Sequence, residues 1–507
     1  MKQLRKWTVA AFCSLAGVLY AQTPSYSTYQ VNKDLTNFTD WTASSLSKNF
    51  KDKHLKGMES QLMKQLAEKM LRGDYNSAYL LQSYKPIPSN KVLEQQLKLT
   101  NGYSRYENIT GVYLEAGENV VLVGDLHGRT VGLLIPDWMR QPTLGYQPTK
   151  DPEGWGVKKQ EILLHEGANV INVKKAGNVY VDYFADDPDT APAVTIHFVT
   201  GKVNGYFDAT VQSNEDWNRL LDNAVSPVMD VKGKYIQLAY PVEQLKKLAY
   251  GKGKELAENY DKIMQVQYDF SGATKYNRIP KKRILARVNF NYFMFRDGDG
   301  VAFEGTDGTM KAAIGPEVTT NWGIHHEIGH VMQMRPWLTW GGMTEVSNNL
   351  FSMYGTMSLG DSSRLSKRHI YEAAFSNAPE KQFIMCVKDP FHKLIPFWQI
   401  QIYADKIGYK DFYADLMEHL RNQPHKGAGN ASIHNMYEYI KLCCDFLKTD
   451  LTDFFDAWGF FQTGKFHVGD YGNYDFEVTP KMIEETKHYI ASKNYPKPSM
   501  DVTKLTD

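Results

Sequence analysis

Cysteine is scarce: four residues in a chain of 507. So few thiols rule out a disulfide scaffold. One of them, Cys13, falls in a segment that reads as a leader, and Phe12 before it is too large for a lipoprotein signal. That leaves Cys386, Cys443 and Cys444, an odd number best read as buried free thiols. Excess charge is also missing. Lys+Arg total 58 against 57 Asp+Glu, for a net charge of +1. Such balance argues against a surface built to grip nucleic acid. No repeat and no low-complexity tract is present, and beyond the leader no apolar run is long enough to span a bilayer. Hydrophobic residues at 42% and charged residues at 23% exclude a wholly disordered chain. Aromatic residues are plentiful, with 31 Tyr, 24 Phe and 10 Trp, which serves large cores and sugar- or peptide-binding surfaces alike.

The segmentation follows from changes in period. Residues 1–21 read as a signal peptide: Lys2, Arg5 and Lys6 precede an apolar stretch from Trp7 to Tyr20, with cleavage expected after Ala21. Removing it leaves 55 cations against 57 anions, and an exported protein, periplasmic, cell-surface or secreted, is expected. Residues 22–104 read as helical, with Leu55, Met58, Leu62, Leu66 and Met70 at helical steps and Gly73 as a stop. Residues 105–212 alternate in short segments, 111–117, 119–123, 169–173, 178–182 and 194–199, which predicts an antiparallel β-sandwich. From 213 to 490 helices and strands mix, then helices dominate; 491–507 read as a fraying tail. The fold class expected is α+β and multidomain.

Chemistry concentrates in His325-His326-Glu327-Ile328-Gly329-His330, where His326, Glu327 and His330 spell H-E-x-x-H. On a helix, residues four apart share a face, so both imidazoles can reach one ion. Zinc suits such nitrogen donors and in catalytic sites keeps a position open for water. Glu327 then stands beside that water as general base. His325 cannot replace His326, because its own fourth neighbour is Gly329. The bland reading is a helix whose histidines are satisfied by hydrogen bonds. Against it stands Glu345, separated from His330 by fourteen residues, after the helix-ending Arg335-Pro336. That gap allows a loop and a second helix to bring in a third ligand, completing a His-His-Glu set. Asn349, one turn after Glu345, can hold the far nitrogen of a ligand histidine.

These residues resemble a known family. His326-Glu-Ile-Gly-His330, then Gln333, then Gly342-Met-Thr-Glu345-Val-Ser-Asn-Asn349, is similar to the enhancin-type gluzincins, peptidase family M-sixty. Trp458-Gly459 after Leu451-Thr-Asp-Phe-Phe455 extends the likeness, which spans about 105–490. It implies a gluzincin catalytic domain with a helix-rich C-terminal part, preceded by the sandwich and the helical N-terminal segment. It also implies one zinc ion and endopeptidase action on O-glycosylated, mucin-like proteins. Val331-Met332 depart from the family, where polar residues are common.

Other assignments stay open on the residues alone. The donor for the reaction's oxyanion is sought among Tyr354, His434 and His467. Asp299–Glu304 is either a substrate-pairing edge strand or an ordinary hairpin. Trp322, Trp337 and Trp340 either stack on sugars or fill the core. Gly124-Asp-Leu-His-Gly128 imitates a phosphoesterase motif but lacks its companion segments. The rival function is a glycan- or host-surface-binding protein that works through the sandwich, with the peptidase fold as scaffold.

Overall fold

The computed structural model describes residues 25–99, 103–376 and 382–507. The leader assigned to residues 1–21 lies outside them. Two antiparallel sheets form the β-sandwich. One has four strands in the order Leu81–Tyr84, Val194–Phe198, Gly117–Val123, Gly167–Val173. The other has five, in the order Lys202–Val203, Asn108–Leu114, Gly177–Asp182, Gly132–Pro136, Lys159–Leu163. Val112, Val121, Leu133, Val181, Ile196 and Phe198 fill the space between them. Gly132–Pro136 is buried at every position, so it shows no alternation and escapes a period-two reading.

The N-terminal region is less helical than its sequence suggests. Its helices are Thr28–Asp34, Gln61–Arg72 and Asn90–Leu97, but Leu81–Tyr84 is a strand paired with Val194–Phe198. Ser60 caps the longest helix, and Gly73 ends it in the left-handed conformation, φ 75°. Val31, Phe38, Met63 and Leu66 pack on Val120, Leu122 and Ala168, covering the outer face of the four-stranded sheet.

Next comes a six-stranded mixed sheet, in the order Phe207–Asp208, Val228–Lys232, Ile236–Pro241, Ile284–Asn289, Gly300–Glu304, Met294–Asp297. The last of these, antiparallel to Gly300–Glu304, is the edge strand. Of the two readings open for Asp299–Glu304, the hairpin holds: its strand pairs with Met294–Asp297 and lies one place in from the edge. The tail after Tyr495 does not fray either: Gln399 donates to the carbonyls of Thr503 (2.7 Å) and Leu505 (3.1 Å), and Trp398 to the carboxylate of Asp507. Cys443 and Cys444 are buried free thiols, and Cys386 is half-buried. Among the described residues no helix is long and apolar enough to cross a membrane.

Candidate metal centre

Two crossing helices build the site. The first, Trp322–Met332, starts at Asn321, whose side chain accepts from the Ile324 amide, and packs beside the edge strand. The second, Thr344–Ser358, is buried along most of its length. Two glycines let them approach. A Cβ on Gly329 would lie 2.7 Å from the Asn348 carbonyl oxygen, and one on Gly355 would lie 2.3 Å from His325 Nδ1. The helix-weakening Gly329 is therefore explained by helix contact.

That approach brings His326, His330 and Glu345 together, with one donor atom from each within 4.8 Å of the others. His326 Nε2 is 3.2 Å from one Glu345 carboxylate oxygen, and His330 Nε2 is 3.6 Å from the other. A tetrahedral ion with arms of ~2.0–2.1 Å spaces its ligand atoms by roughly 3.3 Å, so both histidine–glutamate spacings suit zinc. A buried oddity points the same way. Asn348 Nδ2 lies 2.9 Å from His330 Nε2 and 3.2 Å from His326 Nε2, while its own Oδ1 is buried without a partner. Two imidazole nitrogens thus face an electron-poor group at the point where a cation would complete them.

The far ring nitrogens are held. His326 Nδ1 donates to Asn349 Oδ1 at 2.8 Å, and His330 Nδ1 to Gln333 Oε1 at 3.1 Å. Gln333 is fixed in turn by donating to the Thr344 carbonyl (2.6 Å) and to Ser347 Oγ (2.8 Å). These bonds put the lone pair of each ring on Nε2, facing the centre. His325 plays no such part. It is fully buried, its Nε2 donates to the Thr319 carbonyl (2.9 Å), its Nδ1 accepts from Gln267 (3.1 Å), and burial lowers its pKa to about 4.

Charge is arranged to match. Burial would lower His326, but the Glu345 hydrogen bond and the charges of Glu327 and Glu345 leave it above its usual value. Burial would raise Glu345, yet its bonds to the two histidines hold it far below the carboxylate range. Glu327 is different. Burial raises it, and the two histidines only partly offset the rise. It is the site's one carboxylate outside the donor set whose environment favours taking up a proton.

A distant hairpin caps the arrangement. Thr344–Ser358 has no side-chain cap of its own. Instead Asp470, in the turn between strands Gly464–Gly469 and Asn473–Val478, accepts from the amides of Gly342 (2.8 Å) and Thr344 (3.1 Å) and from Thr344 Oγ1 (2.8 Å). A carboxylate there satisfies orphan amides and complements the helix dipole.

The three donor candidates lie on three different elements. Tyr354 lies nine residues along the helix from Glu345, roughly 13 Å away in rise, with its ring 4.8 Å from that of Phe270. His434 is an exposed residue on the first turn of Ile433–Leu447. His467 pairs with Asp475 at 2.8 Å on the hairpin. Trp340 is core, packed on Phe397 and Tyr439, while Trp322 and Trp337 are half-buried with Arg364 and Lys98 against their rings. His127 and Asp125 of the phosphoesterase-like string are exposed, and among the described residues only His326, His330 and Glu345 cluster as metal donors.

A sequence model described as Peptidase M60, enhancin and enhancin-like matches residues 202–459, half of the chain. The chain belongs to the M60 peptidases. No curated protein matches it. Solved structures share the M60 fold. A metallopeptidase from Bacteroides thetaiotaomicron superposes with a TM-score of 0.77 at 23% identity, over 95% of this chain and 82% of that one. A metallopeptidase in complex with Tn antigen gives 0.70 at 24% identity, over 85% and 80%. The M60 catalytic domain of Clostridium perfringens ZmpC, in complex with the sialyl T antigen, gives 0.62 at 17% identity, over 83% and 81%. M60 members are zinc-dependent metallopeptidases, and this one carries the His/His/Glu cluster described above.

Proposed function

We propose that this M60 member is an exported zinc endopeptidase that hydrolyses peptide bonds in O-glycosylated, mucin-like proteins. The observation that carries the reading is the convergence of His326, His330 and Glu345 on one point, with Glu327 beside it and outside the donor set. These three side chains would hold one zinc. A bound zinc supplies Lewis-acid polarisation of the scissile carbonyl and of the attacking water. The chain's own residues supply the rest. Asn349 and Gln333 keep both imidazoles in the ligating tautomer. Glu327 takes the proton of the attacking water as the C–O bond forms and delivers it to the amine nitrogen as the C–N bond breaks. The edge strand Met294–Asp297, beside the first site helix, is where an extended peptide would add to the sheet. The glycan part of the reading is supported by solved relatives bound to Tn and sialyl T antigens. Export rests on the leader at residues 1–21.

The test combines metal analysis with digestion. Purified protein should carry one zinc, and Glu327→Gln should keep it while losing cleavage of a mucin-type glycoprotein. Cleavage that survives enzymatic removal of the O-glycans would refute the glycan requirement. Metal-free protein that binds mucin without cutting it would replace the peptidase by the glycan-binding reading.

A further inference from the structure

A second concave site lies on the sandwich, apart from the metal donors. A short string occurs twice there: Val157-Lys158-Lys159 leads into one strand, and Val173-Lys174-Lys175 leads out of another. The first strand, Lys159–Leu163, is the edge of the five-stranded sheet, and the second, Gly167–Val173, is the edge of the four-stranded one. Gln160 joins the two edges. Its Nε2 donates to the Asn172 carbonyl (2.6 Å), and its Oε1 accepts from the Lys174 amide (2.9 Å). Both lysine pairs thereby line one cavity of about 230 Å³, together with the apolar Ile135, Pro136 and Ala176. Asp137 is the one acid in its lining. Four cations against one anion is a local excess in a chain whose net charge is +1. Asp137 pairs with Lys175. The other three ammonium groups have no hydrogen-bonded carboxylate among the described residues. Lys158 donates to the Glu153 carbonyl (2.7 Å), Lys159 lies 3.7 Å from Glu161 and 3.8 Å from Asp299, and Lys174 has no ion pair. Gathering like charges works against folding, whereas a concave wall of one sign concentrates oppositely charged ligands.

We propose that this cavity binds an acidic saccharide, a sugar bearing a carboxylate or a sulfate, carried by the substrate a few residues from the cleaved bond. Its service to the substrate rests on the peptidase reading above. Size, lining and charge select the class. The cavity takes a sugar ring where a bare anion would leave most of it empty. The apolar side chains suit the carbon face of a ring. The charges are lysines, point charges on flexible stems that meet a carboxylate or a sulfate from any side, without the planar fork of arginine. Position ties the cavity to cleavage. Lys159 faces Asp299, in the turn that joins the edge strand Met294–Asp297 to Gly300–Glu304. The other end of that strand abuts the first site helix, where a Cβ on Gly323 would lie 2.6 Å from Met294 Sδ. A peptide added along the edge would run from the metal donors towards the lysines, about 10 Å over three residues of strand.

The experiment measures binding to the full chain by isothermal titration calorimetry at low salt. The probes are 3′-sialyllactose, lactose 3′-sulfate and plain lactose, with a tetraglutamate peptide as the acid that is not a sugar. At least one acidic sugar should bind, more weakly as salt is added, while lactose and the peptide stay inert. Which acidic sugar binds tells a carboxylate source from a sulfate source. Lys158→Gln combined with Lys174→Gln should weaken binding about tenfold, from two exposed contacts worth about threefold each. Lys174→Arg keeps the charge and should stay within about threefold, and urea midpoints check that the variants fold. On a mucin carrying the preferred acid, the double variant should lose about the same factor in kcat/KM. The site is overturned if neither acidic sugar binds, if lactose or tetraglutamate binds as well, or if the folded double variant binds like wild type. Mucin cleavage unchanged in that variant would overturn the service to the substrate. Wild-type protein that binds the acidic sugar yet holds no zinc and cuts nothing would overturn the peptidase reading and leave the site standing.

Discussion

Gly329→Ala tests whether helix proximity is what assembles the metal site. The added methyl would stand 2.7 Å from the Asn348 carbonyl oxygen and 3.3 Å from its carbonyl and α carbons, where ordinary contact begins at 3.4 Å. All three are backbone atoms, so no rotamer change relieves the clash. The helices must separate by about 0.7 Å along that line. Two energies compete. Alanine favours a helix interior over glycine by about 0.8–1 kcal/mol. Overpacking costs about 1–3 kcal/mol. The net loss of stability is therefore modest, about 0–2 kcal/mol. The metal feels more, because sound sites keep ligand distances within about 0.2 Å, and Asn348 is three residues from Glu345 on the moving helix. Zinc affinity is expected to fall by about 10–100-fold, the range seen when support of a ligand shell is lost. Competition with a chromophoric chelator measures it, and urea unfolding measures stability. Gly308→Ala is the control: it makes the same change in helix Asp307–Ile314, where nothing lies within 4 Å of the new methyl. The control should keep its zinc and gain up to about 1 kcal/mol. Unchanged zinc affinity in Gly329→Ala, with stability raised as in the control, would refute the reasoning.

Other outcomes follow from named contacts. Asn349→Ala or Gln333→Ala removes the acceptor that sets a ligand tautomer, and each should weaken zinc by about 10–100-fold in the same competition assay; wild-type affinity in both would dismiss their supporting role. Asp470→Ala strips three hydrogen bonds from the start of the second site helix and should cost about 0.5–2 kcal/mol in urea unfolding, the usual value of a helix cap; no change would mean that water replaces the carboxylate. Asp230 joins the sandwich to the six-stranded sheet, accepting from Tyr180 (2.5 Å) and Asn178 (3.0 Å), and burial lifts its pKa to about 7 from 3.8. Between these values the folded chain holds a proton that the unfolded chain has lost, so this group's contribution to stability declines as pH rises from about 4 to about 7, by at most about 4 kcal/mol. Asp230→Asn should flatten that slope in unfolding midpoints taken across the interval, and an unaltered slope would assign it to other groups.

Locally encoded features were legible in the chain. His326, Glu327 and His330 lie within one helical turn and a half, so period alone places them on one face. Glu345 and Asn349 were reachable because they sit one turn apart on the helix that follows the first in the chain, in a segment that repeats the motif's residue order. Segments such as Gly117–Val123 and Gly167–Val173 read as strands from their composition and alternation. Harder to see were Leu81–Tyr84, whose partner strand is more than a hundred residues away, and Gly132–Pro136, buried on both faces. Gln333 belonged to the motif, but its task became visible only once its bonds to His330, Thr344 and Ser347 were in place.

By itself the amino-acid order determined the donor residues, because ligand chemistry and helical spacing are properties of short segments. The tertiary structure alone decided how closely the two helices meet, which carboxylate caps the second and which strand forms the sheet edge. Those depend on segments far apart in the chain, and contact across such distances is set by packing of the whole core, which leaves no periodic trace in any one segment.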